Sequence, residues 1–133
     1  MEHKVTLTIT SLLSILFMTF HLTSDTLRAR AGTPEAGGST LVAVPVLVVW
    51  LYGTLVLAER RSGHIVMLIG SLLALGMPVI HMMGAGGVFH GAIAGSSGPF
   101  VFVWTLHALG ATGMFSLILS VRGLWLLHRD RPR

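Results

Sequence analysis

Cysteine is absent from all 133 residues, which excludes disulfides, thiolate metal ligands and thiol redox chemistry. Charge is scarce as well: Asp, Glu, Lys and Arg make up 11% of the chain, against 53% hydrophobic residues and a mean hydropathy of +0.79. An ordinary soluble domain carries about 25% charged residues, so this composition belongs to a membrane protein. No Asp or Glu falls inside any long apolar run, which leaves a carboxylate proton relay, or the acidic coordination of many ion-coupled transporters, without support. A hydrolase-type nucleophile, a phosphate loop and a nucleotide fingerprint are also missing, and no catalytic constellation emerges.

What is present is four apolar runs, at about 5–23, 41–58, 64–83 and 99–127. Each approaches the roughly 20 residues a helix needs to cross the hydrocarbon layer. A backbone in lipid has no water to bond, so all four are expected to be helical. The expected fold is an all-α integral membrane protein, a four-transmembrane-helix bundle forming a single membrane domain over residues 1–133. Ser24 to Thr40 reads as a polar link broken by Gly32, Pro34, Gly37 and Gly38, and Glu59 to Gly63 as a short charged turn. The third link, residues 84–98, is glycine-rich and apolar. It is expected to lie on the extracytoplasmic side, folded back against other protein.

Lys4, Arg60, Arg61, Arg122, Arg129, Arg131 and Arg133 fall on one side of these runs, against Arg28 and Arg30 on the other. Positive loops stay in the cytoplasm, so both termini are expected there, in a multi-pass protein of a bacterial-type inner membrane. The pI of 11.2 does not point to nucleic acid, because the basic residues sit at segment ends. Ala29, Arg30 and Ala31 form an A-x-A pattern after the first run. Asp25 and Arg28, between that pattern and the run, and Arg30 within it argue against a signal peptide.

This topology sorts the seven histidines. His3, His64 and His128 fall at the cytoplasmic boundary, where imidazole needs no explanation. His21, His81, His90 and His107 fall toward the opposite face, with His107 about 12 Å below Pro99 at 1.5 Å per residue. On the first helix Thr6, Thr10, Ser14, Met18, His21 and Asp25 recur at three- and four-residue steps. On the third, Gly70, Ala74, Met77 and His81 share a face, and on the fourth His107 and Met114 are two turns apart. Ala108, Thr112, Ser116 and Ser120 repeat every four residues, a small-residue seam for close helix approach.

Imidazole is the commonest neutral ligand of haem iron, copper and zinc, and thioether suits Cu(I) or an axial haem position. The candidate cofactor-binding residues are therefore His81, His107, His21 and His90. For haem b or a chlorophyll-type pigment, His81 and His107 are the axial candidates, with Gly84, Gly86, Gly87, Gly110 and Gly113 giving clearance. For copper the candidates are His21, His81, His107, Met18, Met77 and Met82, and Asp25 would orient His21 from behind. The corresponding function is electron transfer or metal handling within an oligomer or larger complex. Two alternatives stand beside it: a cofactor-free accessory subunit packed against other membrane subunits, and a channel or transporter formed by self-association. The bilayer itself is the remaining partner, met by Trp125 and the basic tail HRDRPR.

Overall fold

In the computed structural model, residues 2–30, 40–83 and 98–129 are described. They form four helices: α1 (Glu2–Arg30), α2 (Thr40–Leu55), α3 (Arg61–Met83) and α4 (Gly98–Arg129). Helices α1, α3 and α4 are each long and apolar enough to cross a membrane. Helix α2 is shorter at 16 residues, about 24 Å at 1.5 Å per residue.

The boundaries differ from the sequence expectation in three places, each for a local reason. Helix α1 runs on through Asp25 to Arg30 instead of ending near Thr23, with no glycine or proline to interrupt it before Gly32; Thr23 Oγ1 donates to Thr19 O and Thr26 Oγ1 to Leu22 O, both at 2.8 Å, so these hydroxyls are satisfied within the helix. Helix α2 stops at Leu55, short of Ala58. There Val56 N and Leu57 N both donate to Tyr52 O and close a tight turn. Helix α3 therefore begins at Arg61, and Gly63 sits so close to the carbonyl of Leu57 that only a residue without Cβ fits. Pro45 is the sixth residue of α2 and lies on its exposed face. The expected in-folded loop 84–98 falls almost entirely outside the described residues.

The helices alternate in direction. Lys4 near the start of α1 meets Glu59 in the α2–α3 turn, and His21 near the other end of α1 meets His81 near the end of α3 and Phe102 near the start of α4. Helix α4 packs against α3 and α1, while α2 packs against α1 and α3. The buried positions follow three- and four-residue steps: Leu7, Ser11, Ser14, Met18 and His21 on α1, and Leu106, Leu109, Gly113, Ser116, Ser120 and Gly123 on α4. This alternation keeps one seam facing inward along a bundle helix. The strict four-residue repeat expected from Ala108 to Ser120 drifts by about 40° per step, so only Ser116 and Ser120 reach full burial and Ala108 and Thr112 are half-buried.

Along its length the bundle interior falls into three layers. Toward the α1 N-terminus lie hydroxyls and an imidazole: Ser11, Ser14, Ser71, Ser116, Ser120 and His64, none more than 4% exposed. In the middle, Met18, Leu22, Trp50, Ala74 and Leu109 form an apolar cluster. At the other end stand His21, His81 and Asp25. Close helix approach is built in by glycine: Gly113 faces Ala74, and Gly70 receives the indole of Trp50. Trp50 Nε1 donates to Ser11 Oγ at 2.9 Å and Thr54 Oγ1 to Trp50 O at 2.9 Å, while Ser11 and Thr54 join at 2.8 Å. That polar ring locks α1 to α2. The outer surface is apolar, with Val48, Ile69, Leu72, Phe115 and Ile118 all more than half exposed.

Candidate functional site

Three side chains meet at the α1 C-terminal end of the bundle. His21 and Asp25 are one turn apart on α1, and His81 comes from α3. His21 Nε2 lies 3.3 Å and His81 Nε2 3.6 Å from the same carboxylate oxygen, Asp25 Oδ2. One ligand atom from each of the three residues lies within 4.8 Å of the others. A tetrahedral ion with bonds near 2.1 Å has ligand–ligand edges of about 3.4 Å, so two edges of this triangle already have the right length.

The imidazoles are held from several directions. His21 is 1% exposed, and its ring meets that of His81 edge to face, centroids 4.6 Å apart. Phe102 of α4 packs against both, at 5.2 Å from His21 and 5.7 Å from His81. His81 Nδ1 lies 3.0 Å from the carbonyl of Met77. A carbonyl only accepts, so Nδ1 carries the proton and donates, and the lone pair of a neutral His81 is left on Nε2. That lone pair faces a carboxylate. Two acceptors facing each other call for a cation between them, either a proton on the ring or a metal ion. An imidazole that donates its far N–H to a backbone carbonyl is the usual arrangement of a metal-bound histidine.

Asp25 and His81 each keep 28% of their side-chain surface exposed, so the cluster has an open side. Just below it, between α1, α2 and α3, lies an entirely apolar cleft of about 180 Å³ bordered by Met18, Leu22 and Met77. Met18 and Met77 thus line the space beneath the cluster. Met82 is half-buried next to His81.

His107 does not join the others. It is on the exposed side of α4, with Nδ1 donating to Val103 O at 2.8 Å, because its position is out of step with the buried Leu106 and Leu109. His90 lies outside the described residues, as do Gly84, Gly86 and Gly87; Gly110 packs on Pro78 and Gly113 on Ala74. Phe102 was not foreseen, although its spacing from Leu106 and Leu109 marks it as inward-facing. Nor was His64, read from sequence as a boundary residue: it is 4% exposed and fills the notch left by Gly123 of α4. Comparisons with protein families, curated proteins and solved structures found no match.

Proposed function

We propose that this chain is a small integral membrane protein that holds one divalent first-row metal ion through His21, Asp25 and His81. The observation that carries the reading is the convergence of two imidazole nitrogens on one carboxylate oxygen, at 3.3 and 3.6 Å. Two nitrogens and one oxygen form a borderline donor set, suited to Zn(II), Cu(II) or Fe(II). Three protein ligands leave at least one coordination position open, and the partial exposure of Asp25 and His81 gives that position access from outside. An open sphere fits metal handling, in which the ion is taken up and passed on.

The donor set favours an ion over a tetrapyrrole. A macrocycle ligated by both imidazoles must lie between them, and rings in edge-to-face contact at 4.6 Å leave no such gap. It also favours a divalent ion over Cu(I), since Met18 and Met77 border the cleft below the triangle.

The chain crosses the membrane through α1, α3 and α4, with α2 as a fourth, shorter span, and the termini are cytoplasmic. The apolar exterior supports the spans and the Lys/Arg bias the orientation. The metal site then faces the extracytoplasmic side. Assembly with a second copy or with other subunits would cover part of the exposed apolar surface.

Equilibrium dialysis of the detergent-solubilised protein against zinc tests the site. One zinc per chain is expected, lost in His21→Ala and His81→Ala and kept in His107→Ala. No binding, or binding unchanged in the first two variants, would favour the second reading: a protonated His81 paired with Asp25, closing the bundle without an ion.

A further inference from the structure

Helix α4 carries a second organised face, on its outer side. Trp104, Phe115, Ile118, Arg122, Trp125 and Arg129 are all exposed and fall within an arc of about 80° at 3.6 residues per turn. This arc points away from the buried seam of Leu106, Leu109, Ser116 and Ser120. In a membrane-spanning helix it meets lipid. Its two tryptophans are 21 residues apart, about 31 Å along the helix, which matches the roughly 30 Å hydrocarbon layer at whose borders indoles settle. With Trp125 at one border, Arg122 lies about 4.5 Å inside it and Arg129 about 6 Å outside.

An arginine at the end of a spanning helix ordinarily extends its head toward water. Arg129 does the reverse: its Cζ lies over the Trp125 ring, 5.6 Å from the centroid, which turns the guanidinium back toward the turn that carries Arg122. Ion pairs among the described residues are confined to Lys4 with Glu59 and to the Asp25 cluster, so neither arginine has a carboxylate partner there. Two cations thus bracket one indole at the border of an apolar layer, above the exposed Ile118 and Phe115. A cation facing lipid is penalised unless a countercharge meets it. Read from water inward, the complement of this face is an anionic head, a narrow amphipathic level and a hydrocarbon chain.

The geometry points to a binding site on α4 for one anionic phospholipid. Its phosphate is held between Arg122 and Arg129, whose guanidinium forks match phosphate oxygens; its glycerol level rests at Trp125, and an acyl chain runs down over Ile118 and Phe115. This inference rests on the reading of the chain as a membrane protein and is independent of any ion at His21, Asp25 and His81.

Tryptophan fluorescence of the whole chain in nanodiscs of mixed phosphatidylglycerol and phosphatidylcholine, with bromine on the chains of one lipid or the other, tests it. The Trp125 signal is the difference between the parent and Trp125→Phe. Its quenching should report a preference for the anionic lipid of about fivefold per arginine engaged. The preference should fall stepwise in Arg122→Gln and Arg129→Gln and persist in Arg60→Gln, and the signal from Trp50 and Trp104 should show none. Equal quenching by the two lipids, or one preference shared by all three tryptophans, would overturn the site and leave the membrane reading intact. No quenching by either lipid would overturn both. If Arg122→Gln fails to fold, Arg129→Gln, at the helix end, decides alone. Excess inorganic phosphate should leave the quenching unchanged; relief of quenching would make this a free-phosphate site and overturn the assignment to lipid.

Discussion

The imidazoles of His21 and His81 stand edge to face, ring centroids 4.6 Å apart and planes at 88°, with Asp25 Oδ2 within 3.6 Å of an Nε2 from each. Helix α1 supplies one ring and the carboxylate, and α3 supplies the other ring. Any ion bound there ties the ends of two helices together.

Asp25→Asn keeps the shape of the side chain and removes its charge. Zinc affinity should fall by more than the roughly 10–100-fold that loss of an outer-shell partner costs, because the proposed site uses the carboxylate as a ligand. Calorimetric titration of the variant checks this. An affinity equal to that of the parent would remove Asp25 from the coordination sphere.

Metal affinity should depend on pH with a definite sign. A ring nitrogen must give up its proton to bind an ion, so acidification through the imidazole range weakens binding, by roughly tenfold per pH unit for each proton displaced. Titrations at stepped pH read the slope, and a pH-independent affinity would contradict imidazole ligation.

Two glycines of α3 should respond oppositely to substitution. A Cβ at Gly70 runs into the indole of Trp50, whereas a Cβ at Gly76 meets nothing within 4 Å. Gly76→Ala should raise stability by up to about 1 kcal/mol through helix propensity alone. Gly70→Val should lower it by a few kcal/mol, as for other overpacked cores, typically 1–3 kcal/mol. Trp50→Phe removes the donor to Ser11 and should cost about 1–2 kcal/mol, the range for interhelical hydrogen bonds in membranes. Thermal unfolding in detergent ranks the three.

The absence of cysteine makes orientation directly testable. A single cysteine at Ser62, exposed at the start of α3, should react with an impermeant maleimide only from the cytoplasmic side, and one at Leu27, exposed near the end of α1, only from outside. The reverse pattern would put the His–Asp cluster on the cytoplasmic face.

Much of the architecture was legible in the sequence because hydropathy and helical periodicity are local properties. The four helices and the inward position of His21 follow from spacing, whereas the turn read at Glu59–Gly63 lies earlier, between Leu55 and Arg61. What was not legible depends on phase between helices. His107 looked equivalent to His81 by depth, yet it falls on the outer side of α4 because the buried phase runs through Phe102, Leu106 and Leu109. Asp25 was read on the face of His21, orienting that ring, but also within the polar link that begins at Ser24, and its approach to His81 was not foreseen. Helix α1 runs on past it to Arg30, and the phase of α3 brings His81 to the same carboxylate. His64 was dismissed as an interfacial residue because nothing in its own helix announces the notch that Gly123 cuts on the facing one.

The central claim is that His21, Asp25 and His81 form a metal-binding triad, and X-ray absorption of the zinc-loaded protein tests it most directly. The predicted spectrum contains two imidazole scatterers and oxygen in the first shell, no sulfur, and one imidazole fewer in His81→Ala. A first shell of water oxygens alone, or one unchanged by loss of His81, would contradict the account.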